Sequence, residues 1–265
     1  MSDGASTMTQ PAETASGRGR TAAVQPAGKA EDGSRLLSLM DRTFLTGDPA
    51  AGELVLVRHG EQAYPPSGSR DVTLWVDPPL SARGEQQAEA VGRHLSGRPV
   101  AAVYASRLLR AHATGQAIAS HHGLEVNIDD RLREIEMFRD LPPGALGPAD
   151  AFGADTMRDS QSRFVRSRRW DAYPASETGP ELRARVVPAI ESVLNAHPGQ
   201  VVVVACHGGV INAYLLHVLG IDAQDMFFRP AHASVHRVAY LDDRRIIGNL
   251  NEVPHLDPTQ SLLSW

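Results

Sequence analysis

Short, wholly apolar segments alternate with longer amphipathic ones after residue 50. The valine-rich runs at 53–58 and 201–206 are apolar at nearly every position, which is typical of strands covered by helices on both faces of a sheet. The runs at 100–104 and 125–128 predict two more strands. Near the end, two apolar runs on either side of Asp242-Asp243 predict a β-hairpin.

The amphipathic segments between these strands predict helices. Ser81 is a candidate N-cap of the first, and a second is predicted to begin at Ser106 and to end near Gly123. A third covers 180–196, and a fourth covers 209–219, with Gly220 placed to cap it. Because strands and helices alternate, we predict an α/β fold in three layers, with a mainly parallel sheet and helices on both faces.

Two regions depart from this alternation. The first 35 residues contain no Leu, Ile or aromatic side chain, so they cannot bury enough apolar surface to offset the entropy of ordering. We therefore predict a disordered tail over 1–45 and one domain over 46–265. Within the domain, 137–178 combines a loop-like stretch with a candidate helix at 158–170, and it predicts an insertion that caps the site.

Composition and charge narrow the classes of function. With 26 basic and 31 acidic residues, the formal charge of −5 gives no broad positive field for nucleic acid. No apolar run suits a secretory signal or a membrane span, and the single cysteine, Cys206, fits a reducing compartment. We expect a cytoplasmic protein without nucleic-acid or membrane partners. Its oligomeric state stays open, with a homodimer as the candidate.

Two histidines each follow a predicted strand directly. One strand continues into Arg58-His59-Gly60-Glu61, and the other continues into His207-Gly208-Gly209. Ligands of open parallel sheets bind beyond the carboxyl ends of the strands, so neighbouring strands would bring both imidazoles to one site. The helix predicted after His207 would direct free N–H groups to the same place, where an anion could bind.

An arginine beside a histidine indicates which anion. A guanidinium provides planar donors that suit phosphate, and an imidazole can act as a nucleophile toward phosphorus. Metal ligation is the rival interpretation, but Arg58 would repel a cation and the sequence has no H-x-H or H-E-x-x-H pattern. Each histidine alone could be an ordinary core residue. Together with Arg58, the pair favours a phosphoryl site.

The same residues resemble a known family. L-V-R-H-G-E at 56–61 is similar to the signature of the histidine phosphatase superfamily, branch 1, the phosphoglycerate mutase-like enzymes. The resemblance continues, in the family's order, through segments 77–88, 104–114, 131–135, 205–211 and 250–256. It implies a phosphoglycerate mutase-like fold and no metal or organic cofactor.

The resemblance also implies roles for individual residues. His59 would be the nucleophile that forms a phosphohistidine, and Glu134 would be the general acid and base. The phosphoryl oxygens would be held by Arg58, Arg110 and His207. The predicted substrate contacts are Arg58, Arg110, His207, Gly208 and Glu61.

Several assignments stay open. Arg107 lies near Arg110, and Glu136 lies two residues after Glu134, so each is a rival. Five cap arginines between 158 and 169 could contact substrate or form a solvated helix face. Pro65 stands where many family members carry an Asn. Cys206 and the other histidines, among them His232 and His255, are interpreted as structural or surface residues.

The leading hypothesis is a metal-independent phosphoric monoester hydrolase that acts on a small phosphorylated substrate through phosphohistidine. A phosphoglycerate mutase-type phosphotransferase is the first alternative. It ranks lower because the Glu134–Phe138 stretch E-I-E-M-F departs from the mutase pattern. A regulatory module that binds a phospholigand but turns it over weakly is the second.

Overall fold

The computed structural model describes residues 38–64, 77–142, 145, 147–256 and 262–265. The described residues form one compact unit. Its helices and strands are built mainly from the segments that the hydrophobic pattern indicates.

A single six-stranded sheet forms the centre of the domain. Its strands are β1 (Gly52–Arg58), β2 (Val100–Ala105), β3 (Val126–Ile128), β4 (Val201–Cys206), β5 (Val235–Leu241) and β6 (Arg244–Glu252). The order across the sheet is β3-β2-β4-β1-β5-β6. The first four strands in this order are parallel, whereas β5 and β6 form the predicted hairpin and run antiparallel. A mainly parallel sheet is therefore confirmed.

Seven α-helices surround the sheet in the part of the chain that the structure describes. They are α1 (Leu39–Phe44), α2 (Ala82–Leu95), α3 (Leu109–Ser120), α4 (Pro148–Phe152), α5 (Ala154–Ser167), α6 (Gly179–Ala196) and α7 (Gly208–Val218). Ser81 caps α2 as predicted, since its side chain accepts a hydrogen bond from the N–H of Gly84. Gly220, after α7, has the positive φ of 66° that a helix-terminating glycine adopts.

The two faces of the sheet bury separate hydrophobic cores. Leu54 and Leu56 of β1 face a cluster made with α6 and α7, whereas Val55 and Val57 face a second cluster made with α2 and α3. Alternate residues of one strand point to opposite faces, so a strand that is apolar throughout supplies both cores. This arrangement confirms the three-layer α/β fold.

The beginning of the domain differs from the prediction. Residues 39–44, placed in the disordered tail, form α1, which a capping box between Ser38 and Asp41 begins. Leu45 follows it and is buried. The predicted tail boundary at 45 is therefore wrong for residues 38–45, because a capped turn with one buried leucine orders them. Residues 1–37 lie outside the described residues.

Two other helix boundaries also differ. The helix predicted from Ser106 begins at Leu109, because the Ser106 hydroxyl accepts the N–H of Leu108 in the turn before it. The cap helix predicted at 158–170 forms as α5, three residues shorter at its end and four longer at its start. No described helix is both long enough and apolar enough to cross a membrane.

Candidate active site

His59 and His207 meet at the carboxyl edge of the sheet. Arg58 and Cys206, the last residues of β1 and β4, pair directly in the parallel register, so the two following histidines emerge side by side. Their ring centroids are 5.1 Å apart. The prediction that adjacent strands bring both imidazoles to one place is therefore confirmed.

The loop after β1 packs tightly on the start of α2. A Cβ atom on Gly60 would lie 2.4 Å from the carbonyl oxygen of Gly84, and one on Gly84 would lie 2.0 Å from that of Glu61. Neither position tolerates a side chain, because backbone atoms cannot yield. These glycines therefore bring the His59 loop against the first turn of α2.

His59 has the tautomer that a nucleophile needs. Its Nδ1 lies 2.7 Å from the carbonyl oxygen of Gly60, which can only accept, so Nδ1 carries the proton. Nε2 therefore keeps its lone pair, toward which Nε of Arg110 donates at 3.3 Å. Burial lowers the pKa of His59 well below its usual value, and the electrostatic effects of His207, Arg110 and Arg58 lower that pKa further. The imidazole is therefore neutral at physiological pH.

Several residues near His59 have buried nitrogens without a hydrogen-bond partner. Seven buried side-chain nitrogens among the described residues lack a hydrogen-bond partner, and four of them belong to Arg58, Arg110 and His207. These are Nε of Arg58, Nη1 of Arg110, which lies 3.8 Å from a carboxylate oxygen of Asp77, and both ring nitrogens of His207. Buried polar groups are normally paired, so this cluster has the composition of an anion site.

Burial lowers the pKa of Arg58 to about 10, although the nearby Glu134 carboxylate opposes the shift. The pKa of Arg110 is also lowered by burial and opposed by Glu134. Both guanidiniums still carry a positive charge at neutral pH. They therefore give the site a local positive field within an acidic chain.

His207 stands at the start of α7 as its N-cap residue. It is fully buried, and burial together with the charges of Arg110 and Arg58 lowers its pKa well below the usual value. Gly208 is the first residue of α7, and the N-terminus of a helix attracts an anion. The structure thus places His207 and Gly208 at the start of this helix, next to His59.

The structure separates Glu134 from its rival Glu136. The Glu134 carboxylate accepts the N–H of Ile135 at 2.9 Å and that of Gly209 at 3.1 Å, next to His207. A Cβ on Gly209 would lie 2.4 Å from this carboxylate, so only glycine permits the approach. Glu136 instead is exposed and pairs with Arg139 at 3.4 Å.

Sequence reasoning missed the ion pair that holds the Glu134 segment. The side chain of Arg185 donates to the carbonyl oxygens of Arg131, Arg133 and Glu134 at 2.6–3.0 Å. It also binds Glu177, which is 2% exposed and accepts the N–H of Glu136 at 3.0 Å. No motif indicates the contacts of Arg185, because they join α6 to a segment some fifty residues earlier. Buried ion pairs with satisfied hydrogen bonds fix one conformation of the groups they bind.

Glu61 is the one predicted substrate contact whose side chain is held elsewhere. Its carboxylate accepts the hydroxyl of Ser81 at 2.9 Å and pairs with Arg83 at 3.2 Å. Its N–H donates to the side-chain oxygen of Gln87 at 2.7 Å. These contacts give Glu61 a role in fixing the loop that carries His59.

A third histidine, interpreted from sequence as structural or surface, lies beside His59. The ring of His232 is centred 5.7 Å from that of His59 and is 3% exposed. No strand end or motif precedes His232 in the sequence, so no local signal could have identified it. His255, in contrast, stacks on His94 and contacts the carbonyl oxygen of Ala233.

Cys206 is fully buried, and burial raises the pKa of its thiol, as expected of a structural residue. Three of the five cap arginines contact neighbours within the cap, which favours the solvated-face interpretation. These three are Arg158, Arg163 and Arg169. Pro65 lies outside the described residues.

Replacing Arg110 by Ala is expected to lower kcat/KM by about 10²- to 10³-fold, the loss typical of removing one preorganised donor from an oxyanion. Arg107→Ala is the matched control. Arg107 is exposed and pairs with Asp130, so its loss should change kcat/KM by less than about twofold. Steady-state kinetics with an aryl phosphate measures both variants. Equal losses would contradict the assignment of Arg110.

Among the described residues, no group of three or more His, Cys, Asp or Glu side chains is arranged to hold a metal ion. The histidine pair instead lies beside two guanidiniums, which repel cations.

Comparison with known proteins relates this geometry to a family. The chain is 26% identical over 215 residues to a probable phosphoglycerate mutase of Salmonella choleraesuis (strain SC-B67), covering 77% of this chain and 95% of that one. A solved structure named mycobacterial hydrolase 2 is 26% identical, with a TM-score of 0.60 over 76% of this chain and 91% of that chain. Bacillus stearothermophilus YhfR shares the fold at 22% identity and a TM-score of 0.62, over 77% and 98% of the two chains.

The family model described as "Histidine phosphatase superfamily (branch 1)" matches residues 54–253. That segment contains all the strands except the start of β1, together with both histidines and Glu134. The chain belongs to branch 1 of the histidine phosphatase superfamily.

Proposed function

We propose that this chain is a phosphatase that hydrolyses a small phosphomonoester through a phosphohistidine on His59, without a metal ion. The observation that carries the proposal is the set of unpartnered buried nitrogens of Arg58, Arg110 and His207 near the neutral ring of His59, whose Nε2 faces Arg110. Such a site can bind a phosphoryl group and can stabilise the negative charge that develops during transfer.

In the first step, Nε2 of His59 attacks phosphorus and the bond from phosphorus to the ester oxygen breaks. Glu134 gives its proton to the leaving oxygen. Arg110, whose Nε points at Nε2 of His59 in the free protein, turns its donors to the phosphoryl oxygens. The hydrogen bond from Nδ1 to the Gly60 carbonyl stabilises the positive charge on the phosphorylated ring.

In the second step, water attacks the phosphohistidine and the bond between phosphorus and Nε2 breaks. The Glu134 carboxylate takes the proton from that water, which restores the acid for the next turnover. The Glu134 carboxylate binds the N–H of Gly209 at the start of α7, and Arg185 binds the backbone carbonyl oxygen of Glu134. This arrangement supports the role of Glu134.

The single cysteine fits a reducing compartment, so we place the reaction in the cytoplasm.

A phosphoglycerate mutase is the second candidate, because curated relatives over 77% of the chain carry that name. A mutase returns the phosphoryl group to an alcohol instead of to water. The choice therefore depends on which acceptor reaches the phosphohistidine. A regulator with weak turnover is disfavoured, because the nucleophile, its donors and the acid lie together at one site.

The test supplies purified protein with a panel of phosphomonoesters in the presence of a chelator, and it measures released phosphate. Conversion of 3-phosphoglycerate is followed in parallel. We expect phosphate release that the chelator does not change. Isomerisation without net release would identify a mutase, activity lost to the chelator would overturn metal independence, and phosphate binding without turnover would favour the regulator.

The pKa shift of His59 predicts the acid limb of the pH profile. A protonated His59 cannot attack, so kcat/KM falls only when the pH approaches the pKa of His59 in the free protein. Because that pKa is lowered well below the usual value of about 6.5, activity should persist below it. With p-nitrophenyl phosphate, whose leaving group needs no proton from Glu134, kcat/KM divided by the dianionic fraction of the substrate should therefore not fall as the pH passes below about 6.5. A fall centred near pH 6.5 would contradict the assigned environment of His59.

A further inference from the structure

The segment that carries His232 is clamped to the catalytic loop. The N–H of Ala233 donates to the carbonyl oxygen of His59 at 3.2 Å, and Nη1 of Arg58 donates to that of Pro230 at 2.5 Å. The N–H of Arg58 also donates to the carbonyl oxygen of Ser234 at 3.2 Å. These bonds hold the His232 ring beside that of His59 independently of its own side-chain contacts.

A chain of hydrogen bonds leads from the loop that carries His59 to Nδ1 of His232. The chain begins at the N–H of Glu61, which donates to Oε1 of Gln87, and this bond fixes the orientation of the amide. Nε2 of Gln87, which can only donate, lies 3.0 Å from the hydroxyl oxygen of Ser264. That hydroxyl lies 2.9 Å from Nδ1 of His232.

The Ser264 hydroxyl has one proton to donate. Its oxygen already accepts from Gln87, and among the described residues Nδ1 of His232 is the only other group recorded at hydrogen-bond distance. When this proton points to Nδ1, the contacts with Gln87 and His232 are both made, Nδ1 acts as the acceptor and the ring proton of His232 lies on Nε2. Burial lowers the pKa of His232 to about 3, with Arg58 and Arg229 contributing, so the ring stays neutral.

We propose that His232 is a further catalytic residue, whose Nε2–H donates to an oxygen of the bound phosphoryl group, and that Gln87 and Ser264 are positioning residues that hold it in this tautomer. The proposal rests on the proposed function, because it assigns the phosphoryl group to the space beside His59. A neutral donor adds a hydrogen bond to that group without a further positive charge beside Arg58 and Arg110. The C-terminal residues Leu262–Trp265, which reach α2 and the His232 segment, thereby become part of the site.

Two amide substitutions separate the ring nitrogens. The side-chain nitrogen of Gln reaches the position of Nε2 of a histidine and can donate there, whereas the side-chain oxygen of Asn reaches the position of Nδ1 and can accept there. His232→Gln should therefore keep the phosphoryl contact, and His232→Asn should keep only the contact with Ser264. The measurements are kcat/KM for p-nitrophenyl phosphate and the affinity for inorganic phosphate, with the melting temperature as the check on folding.

We expect kcat/KM and phosphate affinity of His232→Asn to fall by about 10- to 100-fold, the effect of one hydrogen bond to a charged group. His232→Gln should stay within about fivefold of the unaltered protein. Equal losses in both variants, or no loss in His232→Asn, would overturn the proposal. Because phosphate affinity is measured without turnover, it decides the role of His232 even if no phosphomonoester is hydrolysed.

A measurement on the unaltered protein needs no variant to fold. The nitrogen-15 shifts of the His232 ring report its tautomer directly. We expect protonation on Nε2, with a change in that resonance when inorganic phosphate is added. Protonation on Nδ1 would overturn the proposal, as would an Nε2 resonance that phosphate leaves unchanged.

Discussion

Replacing His59 by Ala is expected to lower kcat for an aryl phosphate by about 10⁴- to 10⁶-fold, the scale of removing a nucleophile from a site that keeps its other groups. We expect no replacement nucleophile among the neighbouring histidines, because His207 and His232 are proposed to hold the phosphoryl oxygens. The affinity for inorganic phosphate should change by less than about tenfold, since Arg58, Arg110 and His207 remain.

His217→Asn is the control for the His59 variant. His217 is exposed in the last turn of α7, at the end of that helix away from His207, so its loss should leave kcat unchanged. Substantial phosphate release by His59→Ala, with an intact melting transition, would show that another group attacks phosphorus.

Replacing Glu134 by Gln is expected to lower kcat by about 10²- to 10⁴-fold, the usual contribution of general acid–base catalysis. The loss should depend on the leaving group. An alkyl phosphate needs a proton from Glu134 to release its oxygen, whereas p-nitrophenolate leaves without one. With p-nitrophenyl phosphate we therefore expect a burst of p-nitrophenolate followed by slow turnover, because the second step still needs a base to activate water.

Glu136→Gln is the matched control, two residues away and of the same chemistry. Its carboxylate pairs with Arg139 and is exposed, so kcat should change by less than about twofold. If Glu136→Gln lost activity and Glu134→Gln kept it, the assignment of the acid would be reversed.

Patterns along single segments predicted much of the fold. Runs such as 201–206 are apolar throughout because both faces of β4 are covered, and Ser81 marks a helix start because its hydroxyl binds the N–H of Gly84. The short helix α1 has no comparable pattern, since it is brief and exposes Leu39, Met40 and Phe44. Its order comes from a capping box and from the burial of Leu45, which composition does not reveal.

The candidate site was predictable where its residues directly follow strands, and less so where distant segments meet. Arg58, His59 and His207 follow apolar strands, so sequence reasoning could place them together. The contacts of Arg185 with the Glu134 segment, and those of Ser264 with His232, join positions about fifty and thirty residues apart. A choice such as Glu134 over Glu136 also needed the structure, because it depends on which carboxylate reaches the N–H of Gly209.

The central claim, that the phosphoryl group passes through His59, is tested most directly by stereochemistry at phosphorus. The substrate is a phosphorothioate monoester made chiral by its sulfur and two oxygen isotopes, hydrolysed in water that supplies the third isotope. Each in-line displacement inverts the configuration, so transfer first to His59 and then to water predicts overall retention. Overall inversion would mean that water attacks the substrate directly, and it would contradict the phosphohistidine intermediate.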